Sequence, residues 1–286
     1  MKKRMKKYPI FRTVTRSTIR FVRRVKNNVK IVRLEPIVRK MQENSDFPAS
    51  DGTSIQHLNL TLKGNRESIH LINRLLNVSE LEPVTVKRSQ EISDEEDRLL
   101  RLFDSHGSDK GERHGYYRIY HQLLSVAAGP VTILEIGIGS NDRKIPSNMG
   151  RYASPGASLR AFRDFKKGTT VFGADIDSKI LNSDLDIICY HLDQTSDKSW
   201  LSLTEKISPK SLDLLIDDGL HSPMANLRTL IYGPKLLKSN GCIVIEDIAE
   251  NAIPLWNLVA HLSREKWKFT LYRCFKSYAL LVENPK

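Results

Sequence analysis

From residue 131 onward, short apolar runs alternate with segments of helical spacing, and this alternation constrains the fold more than any other feature of the chain. The runs are "VTILEI" (131–136), "TVFGAD" (170–175), "DIICYH" (186–191), "LDLLID" (212–217) and "GCIVIED" (241–247). Helical segments fall between them, for example at 158–167, 197–207 and 223–238. A strand that is apolar almost throughout has both faces buried, and with intervening helices this means a parallel sheet covered on both sides. Two last runs, 267–273 and 277–283, lie too close together for a helical crossover and predict an antiparallel hairpin at the sheet edge. The expected fold is α/β, a doubly wound, mostly parallel seven-stranded sheet of Rossmann-like type.

Upstream, "SDEEDRLLRLF" (93–103) opens on a capping-box pattern, Ser93 followed by Glu96, and predicts a helix. "QENSDFPASDGTS" (42–54) is polar and turn-rich and reads as a linker, while 55–90 alternate weakly and carry no recognisable chemistry. The expected division is a tail over 1–41, a linker and small segment over 42–92, and a body over 93–286.

The formal charge of +12 is unevenly spread: residues 1–40 hold fifteen Lys or Arg against Glu35 alone, so the other 246 residues carry −2. A near-neutral body argues against a phosphate-binding surface, and no nucleic acid is expected as a partner. In the tail, Phe11, Val14, Thr18, Phe21, Val25, Val29 and Val32 recur every three or four residues, with Arg12, Arg16, Arg20, Arg23 and Lys30 largely on the other faces. Such a basic amphipathic helix suits an anionic membrane surface. Packing on the body or on a second copy is the alternative, and nucleic acid is the third option for the tail. No run of 18 apolar residues predicts a spanning helix, so the expectation is a cytoplasmic protein, peripheral to the membrane through its tail. Cys189, Cys242 and Cys274 lack disulfide or zinc spacing and read as buried free thiols.

In an open parallel sheet, ligands bind beyond the carboxyl ends of the strands. The first end is "LEIGIGS" (134–140), where Gly137 and Gly139 permit a tight turn. Asp142 stands where a dinucleotide fingerprint has its third glycine, which disfavours NAD. Glu135, an acid before the glycines, is more typical of sites for S-adenosylmethionine (SAM). The second end, "GADID", offers Asp175 to ribose hydroxyls, with Asp177 as the fallback. Asp193 and Gln194 follow the third strand, placed to address an adenine edge. The fourth and fifth ends, "IDDGLH" and "IEDIAE", are neighbours in this fold and bring Asp218, Glu246 and Asp247 together. Three carboxylates cannot share a pocket ionised without a counter-charge. Oxygen donors without Cys suit Mg²⁺, Mn²⁺ or Ca²⁺ rather than zinc. The alternative is structural: Asp217 caps the next helix and Glu246 meets a lysine.

The run from "DSHGSDKG" (104–111) through "LEIGIG", "PGASLRAF" (155–162), "GADID", "DQT", "LLIDDGLHS" and "IVIEDI" resembles the metal-dependent sugar O-methyltransferases of the macrocin and mycinamicin type, over about residues 100–250. The resemblance implies the class I methyltransferase fold, SAM as cofactor, and a sugar or glycoside hydroxyl as acceptor. It implies Mg²⁺ on Asp218, Glu246 and Asp247, with His221 as the base. Ser108, Lys110, His114 and Tyr116 resemble a segment folding over the cofactor. Leu220 departs from the small polar residue usual before the histidine, and 140–154 is longer than the family pattern, so the acceptor pocket is where this chain differs. A related metal-binding enzyme acting on a non-sugar small molecule is the alternative within the fold, and a non-catalytic nucleic-acid- or membrane-binding protein using the basic tail is the alternative from another class.

Overall fold

A computed structural model describes residues 55–88, 91–150, 154–181 and 187–284. The tail of 1–41 and the linker of 42–54 lie outside the described residues. The chain divides into two units, residues 1–74 and 75–286. The described part of the first is helix α1 (Ile55–Leu75), where the sequence suggests only weak alternation. Its first turn carries no acidic residue.

The second unit runs β1 (Val84–Thr85), α2 (Asp94–His106), α3 (Tyr117–Ser125), β2 (Thr132–Ile136), α4 (Ala157–Phe165), β3 (Thr170–Asp175), β4 (Ile187–His191), α5 (Asp197–Lys206), β5 (Leu212–Asp217), α6 (Pro223–Tyr232), β6 (Leu237–Ile248), α7 (Ile253–Ser263), β7 (Lys268–Arg273) and β8 (Tyr278–Glu283). One sheet holds all the strands in the order β1-β7-β8-β6-β5-β2-β3-β4. Every pairing is parallel except those of β8 with β6 and β7. The expected α/β sheet and terminal hairpin are therefore present, with one correction. The sheet has eight strands rather than seven, because Val84 and Thr85 pair with Tyr272 and Arg273 and take the edge that the hairpin was expected to form. A two-residue strand is too short to leave a period in the sequence.

Alternate residues of each strand feed two apolar layers. On one face Leu99, Phe103, Tyr120 and Phe162 pack on Ile133, Val171, Leu214 and Val244. On the other, Trp200, Leu203 and Trp256 pack on Leu134, Leu215, Ile243 and Ile245. Phe162 receives Phe103 and Tyr120 edge-on, at centroid distances of 5.2 and 5.1 Å, the arrangement the ring quadrupoles favour. Cys242 and Cys274 lie inside as free thiols, and Cys189 is half-buried. Among the described residues, no helix is long and apolar enough to cross a membrane.

Helix α2 begins where its capping box predicts, with the Ser93 hydroxyl accepting the Glu96 N–H at 3.2 Å. It ends at Gly107, whose φ of +83° is left-handed. There the chain turns to deliver residues 108–116 to the carboxyl ends of the strands, where Gly107, Asp109 and Arg113 border a cleft.

Candidate active site

The cleft encloses about 820 Å³ and is lined by Gly137, Gly139, Asp175, Asp193, Gln194, Asp218, His221 and Asp247, among others. Its floor is the turn after β2. Gly137 has φ +82°, and a Cβ there would lie 2.1 Å from the carbonyl oxygen of Asp218. Glycine thus lets the loop after β5 close on the turn, and the Asp218 N–H donates to the Ile136 carbonyl at 2.9 Å. Asp175 fixes the turn from the other side, accepting the Ile138 and Asp177 N–H groups at 2.9 Å each. Burial raises its carboxyl above the ordinary range, while these amides pull it back down. Each carboxylate oxygen has more than one acceptor site, so Asp175 retains acceptor capacity toward the cleft. Asp177, the fallback, takes the Ser140 hydroxyl at 2.5 Å and does not line the cleft.

Asp217 and Asp218 serve opposite purposes. Asp217 is fully buried and accepts from Gln194 Nε2 (2.6 Å), Thr229 Oγ1 (2.6 Å) and Asn226 Nδ2 (3.0 Å). It ties β5 to α6 through side chains, and the cap of α6 is Ser222 instead. Gln194 uses its remaining oxygen on the Leu220 N–H at 3.0 Å. Its amide therefore braces the Asp217–Leu220 loop, although the residue lines the cleft. Asp193 accepts the Thr195 N–H and hydroxyl at 2.9 and 2.7 Å, which shapes the neighbouring loop.

Asp218 turns the other way, onto a buried lysine. The Lys110 ammonium, 1% exposed, lies 2.6 Å from Asp218 Oδ2, 2.6 Å from Glu246 Oε2 and 3.1 Å from Glu135 Oε1. Burial alone would lower the lysine's pKa, but the three carboxylates outweigh it and hold it well above the ordinary value. Burial pushes the Glu246 carboxyl well above its usual range, and neighbouring Asp218 adds to this. The same desolvation raises Asp218 and Glu135. Glu246 spends its other oxygen on the Tyr120 hydroxyl, and Glu135 its other oxygen on the Ser158 hydroxyl at 2.6 Å.

The outer corner belongs to Asp247 and His221. Tyr116 Oη donates to Asp247 Oδ1 at 2.6 Å and accepts the Asp247 N–H at 3.1 Å. Ser277 adds a bond of 2.7 Å to the same oxygen. Burial disfavours the ionised form, but hydrogen bonds from His114, Tyr116 and Ser277 prevail and hold the carboxyl well below its ordinary range. Asp247 and His221 both adopt left-handed backbone, φ +52° and +53°, at a cost of roughly 1–2 kcal/mol per residue. That strain aims the His221 Nε2 at Asp218 Oδ1 and Asp247 Oδ2, 3.9 Å from each. These are the carboxylate oxygens that face neither Lys110 nor Tyr116. Ligand atoms of Asp218, His221 and Asp247 all fall within 4.8 Å of one another. Two carboxylate oxygens on one corner of a water-accessible cleft fit a hard divalent cation. The His221 Nδ1 is buried without a hydrogen-bond partner.

The roof is the loop after the glycine turn. It closes on itself through the Met149 N–H and Ser140 carbonyl (2.9 Å), with an inner turn from Ile145 N–H to Asp142 carbonyl (3.0 Å). Ser147 Oγ donates to the Leu220 carbonyl at 3.2 Å. Ile145, Pro146, Met149 and Leu220 bring apolar surface to the cleft.

Of the residues singled out in the sequence, Gly137, Gly139, Asp175, Asp193, Gln194, Asp218, His221 and Asp247 meet in this one cleft. Glu135 and Glu246 do not line it. Glu135 sits within β2 on the face covered by α3 and α4, below the floor, where Lys110 and Ser158 engage it. To reach a cation in the cleft, Glu246 would have to give up Lys110 or Tyr120. Sequence reasoning missed the bridging role of Lys110 and the parts of Tyr120 and Ser277. The "SDKG…HGYY" spacing marks the first, and nothing in the sequence marks Ser277.

No family model matches the chain, and no curated protein matches it. Among solved structures it is similar to the MycE methyltransferase from the mycinamycin biosynthetic pathway in complex with Mg, SAH and mycinamycin VI, at 20% identity and a TM-score of 0.53. The match covers 66% of this chain and 55% of that one, so this chain spans about half the length of its neighbour. MycE with Mg and SAH matches similarly, at 19% identity and a TM-score of 0.52. The likeness is one of fold: a mostly parallel, Rossmann-like α/β sheet with flanking helices. In that fold the glycine turn and Asp175 occupy the carboxyl ends of the first two parallel strands of the body, and the Asp218–His221–Asp247 corner the ends of two others.

Proposed function

We propose that this chain transfers a methyl group from SAM to a hydroxyl of a sugar or glycoside, assisted by a divalent cation such as Mg²⁺. The observation that carries the reading is a single cleft joining the Gly137–Gly139 turn and Asp175 to the Asp218–His221–Asp247 corner. Gly137, Gly139, Asp175 and Asp193 would hold the cofactor, and Asp218 and Asp247 the cation, through the oxygens that face His221. When bound, the cation polarises and orients an acceptor hydroxyl and the sulfonium supplies an electrophilic methyl. His221 takes the hydroxyl proton on Nε2, and the flanking carboxylates stabilise the resulting imidazolium. Tyr116 and Ser277 hold Asp247 in place for this, as Lys110 holds Asp218. The apolar roof of Ile145, Pro146 and Met149 restricts water.

Methyl transfer from SAM to a panel of glycosides tests the reading. Turnover should vanish in excess chelator and return with Mg²⁺. SAH alone should raise the melting temperature, since saturation at 100 times Kd stabilises the native state by about 2.7 kcal/mol, and Asp175→Ala should abolish the rise. Full activity in chelator would remove the cation from the mechanism. No shift at millimolar SAH would remove the cofactor.

The tail has its own proposed role, supported by its charge and apolar stripe: residues 1–41 bind an anionic bilayer and hold the enzyme at the cytoplasmic face. The full chain should then float with vesicles containing phosphatidylserine and not with neutral ones. Salt should release it, because exposed charges are screened within ~8 Å at physiological ionic strength. Equal binding to both vesicle types would rule this out.

A further inference from the structure

We propose that Lys110 is a positioning residue that serves as a built-in counter-cation, keeping Glu246 from the divalent ion and leaving that ion only the outer oxygens of Asp218 and Asp247. The inference rests on the cation reading above and concerns how this chain divides its carboxylates. Four of them, Glu135, Asp218, Glu246 and Asp247, cluster at the ends of β2, β5 and β6. Lys110 Nζ contacts the first three within 3.1 Å. The ammonium is sealed from the cleft at 1% exposure, so it meets neither acceptor nor cofactor and acts only through the groups it holds. Glu246 has both oxygens engaged, by Lys110 and Tyr120. Asp218 gives Oδ2 to Lys110 and therefore presents Oδ1 to His221. Asp247 is held by Tyr116 and Ser277 and makes no contact with Lys110.

An ammonium in contact with the same carboxylates repels a second cation placed beside it. The wild-type site should therefore bind its ion weakly and exchange it readily, and removal of Lys110 should deepen the site.

Mn²⁺ binding to the full chain without SAM, measured by calorimetry and electron paramagnetic resonance, tests this. Lys110→Met is expected to bind Mn²⁺ at least about tenfold more tightly than wild type, chiefly because Glu246, released from the ammonium, adds a charged oxygen ligand. Adding Glu246→Gln to Lys110→Met should remove most of that gain, since Glu246 becomes a ligand only once the ammonium is absent. A lysine that merely supports the fold would leave Mn²⁺ affinity unchanged or lower in Lys110→Met, and that result would overturn the proposal. So would an equal effect of Glu246→Gln in both backgrounds. Should Lys110→Met not fold, wild-type crystals soaked in Mn²⁺ and recorded at the manganese edge decide the matter. The ion is expected on Asp218 and Asp247 with Glu246 still on Lys110, and an ion ligated by Glu246 overturns the proposal. No Mn²⁺ on wild type or on Lys110→Met would overturn the cation reading itself, and this inference with it.

Discussion

Replacing Asp217 by alanine should destabilise the protein by about 3–5 kcal/mol, because it strands the buried donors of Gln194, Asn226 and Thr229, each costing about 1–3 kcal/mol when unsatisfied. Partial rearrangement keeps the total below the sum. Asp218→Asn, one residue along, should cost far less, since Lys110 retains Glu246 and Glu135. Urea unfolding followed by tryptophan fluorescence reads both, and Trp200 and Trp256 are buried reporters near the affected layer. A midpoint shift for Asp217→Ala at unchanged slope is the expected signature. A loss below about 1 kcal/mol would mean that Asp217 is not the structural member of the pair.

The largest functional effect is expected at His221. Loss of a general base lowers turnover by about 10²- to 10⁴-fold, and that range should apply here. Asparagine is the informative replacement. His221 has φ +53°, and Asn tolerates left-handed backbone far better than Ala does. His221→Asn should thus keep the loop while removing the proton acceptor, leaving SAH affinity nearly unchanged. Unchanged turnover would exclude His221 as the base. A parallel loss of SAH binding would show that the loop, not the base, had failed.

The contrast between these neighbours shows what the sequence can and cannot express. Strands β2 to β8 were legible because burial on both faces writes continuous apolar runs such as "VTILEI" and "LDLLID". The start of α2 was legible because Ser93 and Glu96 state their cap locally. The gathering of Asp175, Asp218 and Asp247 followed from the rule that strand ends converge. The direction of each side chain did not follow. Glu135 and Gly137 are two residues apart, yet one lies under the floor and the other forms it. Glu246 and Asp247 are adjacent, but only Asp247 lines the cleft, while Glu246 is engaged by Lys110, 136 residues before it. The structural alternative was half right on this point, since Glu246 does meet a lysine. Long-range ion pairs leave no period and no local signature. The strand β1 was silent because two residues leave no period, and the helix α1 because its residues alternate only weakly.

The roof loop has a consequence for how such a protein can diversify. Because Ser140 and Met149 are joined by their own backbone hydrogen bond, the intervening residues form a cassette whose two ends are already neighbours. Its contents can lengthen, shorten or be exchanged without moving β2, the glycine turn or the carboxylate corner. Ser147 anchors it to the loop after β5 by donating to the Leu220 carbonyl, which a backbone atom supplies whatever residue stands at 220. Under the function proposed above, acceptor choice would then be inherited separately from the chemistry, and exchanging this loop would be the route to a different acceptor.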